Sequence, residues 1–316
     1  MTGTRNAPGT LPPEPVTRRG DRLFAGFARS AGILIMVILA GVAAFLVVEA
    51  IPALRAPAED IPGGEGLLAY VAPLLFGTLL AAVLALIVAT PLAVAIALFI
   101  TQYAPRRVAQ GLGYLVDLLA AIPSIVYGFW GIYWLAPRLV PLFRWLEENL
   151  GFIPLFAGPT SATGRTMFTA GLVLAIMILP IISAITREVF RQVPILHREA
   201  ALALGATRWE MIRLSVLPYG RSGIIGGAML GLGRALGETL AIALVLSVSG
   251  GITFNLISSG NPSTIAANVA LQFPESSGID VNTLIASGLV LFVITFAVNM
   301  AARYVVNRRA EFSGAN

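Results

Sequence analysis

The sequence predicts an all-α polytopic membrane protein with about six transmembrane helices. Three observations carry that prediction. Of its 316 residues, 57% are hydrophobic and 12% are charged, about half the roughly 25% charge content of soluble chains. The charge deficit is gathered into long uncharged runs, so lipid is the solvent for most of those side chains. The arginines fall almost entirely between the runs, with a strong bias toward alternate loops.

Residues 1–22 hold Pro8, Pro12, Pro13 and Pro15 and show no apolar periodicity, which predicts a disordered cytoplasmic tail ahead of a transmembrane domain over 23–316. Apolar runs follow at about 30–54, 73–101, 114–137, 166–186, 223–248 and 282–306, each near the ~20 residues that cross a bilayer. Arg18, Arg19 and Arg22 precede the first run, as in a secretory signal. Its apolar core, Ala31 to Val48, is longer than the ~7 to 15 residues of such a signal, so it reads as a span. Pro91, Pro123 and Pro180 lie in the second, third and fourth runs, where each removes a backbone hydrogen bond and permits a kink.

With the N-terminus inside, the inner segments carry 16 arginines: 5 in residues 1–29, 2 at Arg106 and Arg107, 6 in residues 187–222, and 3 at Arg303, Arg308 and Arg309. The outer loops carry Arg55, Arg138, Arg144 and Arg165, and Arg234 is left inside a run. This bias predicts both termini in the cytoplasm. The outer loop 139–155 mixes Phe143, Trp145 and Leu146 with Arg144, Glu147 and Glu148, consistent with a short helix in the headgroup region or with a solvated helical turn. Residues 249–281 form a Gly/Ser/Asn-rich outer loop, long enough to cover a pore mouth or touch a partner.

Composition excludes several chemistries. There is no cysteine, so thiolate catalysis and cysteine-ligated metal sites are ruled out. His197, the single histidine, stands in an arginine-rich loop with no nucleophile motif beside it, and neither a catalytic nor a metal site is predicted. Every basic residue among the 21 is arginine. A phosphate-binding loop of the Walker type needs a lysine, so nucleotide hydrolysis would have to reside in another chain.

Two segments carry mechanism. In the loop 187–222, Pro194 can open a helix containing Glu199, Ala200 and Ala201, and Gly205 can end it in the left-handed conformation. Thr207-Arg208-Trp209-Glu210 then fits a capping box that starts a second helix leading to Leu217-Pro218. In the fifth run, Arg234 would cost roughly 2.5 to 3.5 kcal/mol in the bilayer interior without a partner or a wet cavity. At helical spacing, Glu238 lies one turn on, and Gly223, Gly227 and Gly231 fall on the same stripe.

Glu199-Ala200-Ala201, Gly205 and Leu217-Pro218 resemble the EAA loop of ABC importer permeases, with Ser215 standing where that family usually has an aliphatic residue. Gly233-Arg234-Ala235-Leu236-Gly237-Glu238-Thr239, the run from Asp117 to Gly128 that contains Pro123-Ser124, and Thr264-Ile265-Ala266-Ala267-Asn268 resemble the PstC-type permease family of phosphate ABC importers. That resemblance implies a substrate pathway involving Arg234, Glu238, Thr239 and Ser124. It implies that the EAA loop is a coupling helix contacting an ATPase. It also implies three kinds of partner: a PstA-type permease chain, a PstB-type ATPase dimer that holds ATP and Mg, and a PstS-type phosphate-binding protein. No cofactor in this chain and no nucleic-acid partner are implied. A permease for molybdate, sulfate or phosphonate, or a membrane enzyme acting on a lipid phosphate, are the competing expectations.

The topology is directly testable. Cysteines introduced singly at Ser259 and Ser313 should react with a membrane-impermeant maleimide from opposite sides of the membrane; labelling of both from one side would overturn the assignment.

Overall fold

A computed structural model describes residues 19–310. The predicted N-terminal tail lies outside the described residues except for positions 19–22, which are helical. The chain divides into two compact units, residues 1–48 and 49–316. The first unit contributes most of one helix, α1 (Arg19–Arg55), apolar along nearly all its length.

The second unit is built around α6 (Met167–Arg191), which packs along α2 (Leu67–Leu98) on one side and α9 (Leu217–Leu236) on another. Small residues make those contacts possible. In α2, Gly77, Ala81, Ala85, Ala89, Ala93 and Ala97 recur every fourth residue and are all buried, a ridge that lets two backbones approach where lipid provides no hydrophobic drive. In α9, a Cβ on Gly231 would lie 2.9 Å from the Ile182 side chain, and one on Gly227 3.3 Å from the Ile182 carbonyl oxygen. The glycine stripe read from the sequence is therefore the α6-facing seam.

Among the described residues, four helices are long and apolar enough to span a bilayer, or five if a bent pair is counted as one span. The six unbroken spans expected from the sequence are not formed there, and the reason lies in runs three and five. The third run is split into α3 (Arg106–Ala120) and α4 (Ser124–Trp130), which continues through a π turn at Gly131–Leu135 into α5 (Ala136–Leu150). The pieces meet at 92°. Pro123 stands at the corner, where its ring cannot follow a helical residue and its missing N–H costs nothing at a new helix start. The Tyr127 hydroxyl donates to the Leu119 carbonyl at 2.8 Å, adding a second donor to an acceptor that the Ile122 N–H also engages and tying α4 back to the end of α3. Pro91 and Pro180, by contrast, lie inside helices that continue through them.

The Gly/Ser/Asn-rich loop 249–281 is more ordered than its composition predicts. Thr264 caps α11 (Ile265–Gln272), accepting from the Ala267 N–H, while the Ile265 N–H reaches Thr78 of α2 at 3.0 Å. Buried Asn261 accepts from the Met167 N–H and donates to the carbonyls of Ser247 and Ser258, so one side chain ties the loop to the start of α6. The helix expected over 139–155 is present as α5, with Phe143 buried edge-on against Phe168. The chain returns through α7 and α8 between α6 and α9, α10 after α9, and α12 (Ile279–Ala310) at the end.

A Cβ at Gly77 would collide with the Ser263 carbonyl oxygen, whereas Gly226 has open space around it. Gly77→Val should destabilise the purified protein by about 1–3 kcal/mol through overpacking, and Gly226→Ala should leave it unchanged or slightly more stable. Thermal melting in detergent distinguishes the two.

Candidate functional site

The second break is in run five. α9 stops at Leu236, Gly237 leaves the helical ladder, and α10 (Leu240–Val245) starts again after Thr239. Buried Glu238 accepts the Ala241 N–H at 3.2 Å, filling one of the orphan donors of α10. The Thr239 hydroxyl donates to the Gly237 carbonyl at 3.1 Å. Polar side chains thus close the open ends where no water is guaranteed to do so.

The two breaks lie side by side. α10 packs on α4, and a Cβ added to Gly128 would sit 3.0 Å from the Ala241 Cα. A Cβ at Gly131 would sit 2.9 Å from Val245. Arg234, in the last turn of α9, is exposed. Ser124 is the half-buried first residue of α4, one turn from Tyr127. The four residues expected along a substrate pathway, Ser124, Arg234, Glu238 and Thr239, therefore flank two adjacent interruptions.

One expected contact is absent. The i, i+4 ion pair between Arg234 and Glu238 requires an unbroken helix, and the helix ends between them. Among the described residues the ion pairs are Arg187–Asp117 and Arg191–Glu188. Glu238 is turned to the backbone as a cap, and Arg234 is left without an acidic partner among the described residues. The glycine stripe also separates from the arginine: the glycines face α6 and Arg234 faces away from cover.

The loop between α6 and α9 takes the shape that its sequence predicts. α7 (Ile195–Ala203) opens after Pro194 and contains Glu199, Ala200 and Ala201. Gly205 has φ +84°, in the region that favours glycine. The Thr207 hydroxyl accepts from the Glu210 N–H at 3.3 Å, and the Glu210 carboxylate accepts from the Thr207 N–H at 2.7 Å. That backbone donor, followed by the Thr207 hydroxyl, holds the Glu210 carboxyl below its ordinary range. α8 (Arg208–Met211) runs through a π turn, Ile212–Val216, directly into Leu217 and Pro218 of α9.

Beneath the corner, Phe190, Val193, Met211, Ile212 and Val216 cluster with Ala97 of α2. The Arg208 guanidinium lies 5.5 Å from the Tyr103 ring just beyond α2. Ser215, the position that departs from the family pattern, donates its hydroxyl to the His197 carbonyl at 3.1 Å and ties α7 to the π turn. Outward, Ile195, Leu196 and Leu204 are exposed, Leu204 to 90%. Glu199 and Ala200 share that exposed surface.

Sequence reasoning missed one further contact. Arg187 of α6 is buried and donates to both oxygens of Asp117 on α3, at 2.9 and 3.2 Å. Its only signals were an arginine placed before the end of α6 and an aspartate four residues beyond Gly113, whose missing side chain gives the guanidinium room.

Residues 89–311 match the family described as binding-protein-dependent transport system inner membrane component. Phosphate transport system permease protein PstC 2 of Mycobacterium tuberculosis is 48% identical over 306 residues, covering 93% of this chain and 94% of that protein. The PstC protein of Mycobacterium leprae is 44% identical over 308 residues, covering 94% and 96%. In Mesorhizobium japonicum the corresponding PstC protein is 40% identical, covering 93% and 92%. Among solved structures, a bacterial alginate ABC transporter in complex with a pentasaccharide-bound periplasmic protein aligns with a TM-score of 0.58 at 17% identity, covering 92% of this chain and 98% of that one. A chain of the inward-facing MetNI methionine ABC transporter aligns at 0.54 and 15% identity, covering 75% and 95%. With a family match over 89–311 and relatives aligned nearly end to end, the chain belongs to the binding-protein-dependent transport system inner membrane components, within the PstC-type permeases.

Proposed function

We propose that this chain is the transmembrane permease subunit of an ATP-driven phosphate importer and forms the translocation pathway with a second permease chain of the PstA type. The observation that carries the reading is the near end-to-end similarity to phosphate transport system permeases. The adjacent breaks supply a physical rationale. Arg234 stands exposed beside them, and an arginine at membrane depth demands a partner or a water-filled cavity. A guanidinium remains protonated even when desolvated and can bind two oxygens of one tetrahedral anion. Phosphate, with one to two negative charges near neutral pH, fits that donor. Ser124 and Thr239 add hydroxyls at the same pair of breaks, while Glu238 keeps the second break open by capping α10.

Coupling follows from the corner at Gly205. Its exposed apolar residues and Glu199 form the surface for a PstB-type ATPase dimer, which holds ATP and Mg; this chain contributes no catalytic residue. From Arg208 to Leu236 the backbone is helical without interruption, so a displacement at the corner is carried along about 40 Å of helix to Arg234 at ~1.5 Å per residue. A PstS-type binding protein would deliver phosphate from outside, and both termini would be cytoplasmic.

Two substitutions test the two halves of this reading in the complete complex reconstituted in liposomes. Arg234→Gln should lower phosphate uptake by at least about 10-fold at normal assembly, the loss expected for one charge-assisted hydrogen bond of roughly 1.5–3 kcal/mol. Undiminished uptake would remove Arg234 from the pathway, and preferential uptake of sulfate or molybdate by the unaltered complex would reassign the anion. Gly205→Val, strained by about 1–3 kcal/mol at a positive φ, should leave ATP hydrolysis intact but uncoupled from uptake. Normal transport by that variant would refute the docking role of the corner.

A further inference from the structure

Arg187 holds more donors than its ion pair uses. Only 9% of the residue is exposed, and Asp117 engages its Nη2 alone. The Nε and Nη1 atoms are buried and have no hydrogen-bond partner among the described residues. One turn back on α6, the hydroxyls of Ser183 and Thr186 are also buried and unpartnered. At i−4 and i−1 they share the Arg187 end of the helix, and Ser183 lies on the same side of it. Buried donors without acceptors are costly, and a concentration of four such atoms within one helical turn calls for an acceptor that this chain does not supply.

Charge and access identify the class of acceptor. Among the described residues Asp117 is the sole acidic residue within ion-pair distance of Arg187, and its side chain is 52% exposed, so the pair is buried on the arginine side and open on the aspartate side. Asp117 belongs to the last turns of α3, just ahead of the Pro123 break, and the Tyr127 hydroxyl joins α4 back to that same turn at Leu119. Arg187 is therefore linked through Asp117 and α3 to the break flanked by Arg234. An anion that displaced the Asp117 carboxylate would meet a guanidinium with its fork free and, one turn back on the same side of α6, the Ser183 hydroxyl.

We infer that Arg187, with Ser183 on the same side of α6, forms a second, inner oxyanion station for a tetrahedral anion, and that Asp117 is its resident counter-ion, exchanged for the substrate during passage. The inference rests on the phosphate-importer reading for its ligand. In it Arg234 and Arg187 act in succession, and Asp117 displaces the anion again so that the inner station does not trap it.

Reconstituted complexes and inorganic phosphate separate this role from simple helix packing. Arg187→Lys retains the positive charge and the bond to Asp117 but loses the fork, so an anion station predicts uptake lowered about 10-fold with the complex assembled. Asp117→Asn removes the competing charge, so KM and kcat should both fall as the anion is released more slowly. A packing ion pair predicts the reverse order: the lysine variant transports normally, and the asparagine variant loses assembly or shows reduced kcat at unchanged KM. That second pattern overturns the inference. If the lysine variant does not assemble, the KM of Asp117→Asn decides alone. Failure of the unaltered complex to take up phosphate would instead refute the importer reading.

Discussion

Close approach of α2 and α9 to α6 is the constraint on which the rest of the second unit depends. In a bilayer there is no hydrophobic gain in joining two apolar helices, so contact has to come from dispersion over short distances. The alanine ridge of α2 and the glycine seam of α9 supply it from opposite sides of one helix. Because those seams hold the bundle, α3, α4 and α10 need not run straight through the membrane. They can end, turn and restart, provided their backbone groups are satisfied locally.

Local satisfaction explains which polar residues sit at the breaks. The Tyr127 hydroxyl closes the end of α3 and the Glu238 carboxylate opens α10. Each bonds one backbone group at a break with a side chain of the neighbouring turn. Because the Glu238 carboxylate is committed to the backbone, it makes no ion pair with Arg234.

The periodicity that revealed the spans could not reveal where they break. Runs three and five are apolar enough on average to read as single spans, and hydropathy is blind to a corner at Pro123 or to the stop at Gly237; prolines 91 and 180, equally visible in the sequence, produce no such stop. The Arg234–Glu238 pair failed as an expectation because helical spacing was extended across residues that are not helical. Where the signal was chemical and local it held: Pro194, Gly205, Thr207 and Glu210 each adopt the conformation that their side chains dictate. The contacts least legible in the sequence were those between distant segments, such as Asn261 to the start of α6 and Arg187 to Asp117. Nothing in a one-dimensional pattern pairs residues 70 positions apart.

The π turn at Ile212–Val216 gives the helical rod that ends near Arg234 one place where its residue count can change. A π turn holds one more residue than the α-helical turn it replaces. Deleting a single residue there would relax the turn to ordinary α geometry and leave the helix beyond it nearly in phase, whereas a deletion between Leu217 and Gly223, within regular α-helix, would rotate everything beyond it by about 100°. The glycine seam would then swing off α6 and Arg234 off the breaks. Indel tolerance, ordinarily a property of loops, is here confined to one turn of a helix: a segment of different length can be absorbed at the π turn and nowhere further along α9.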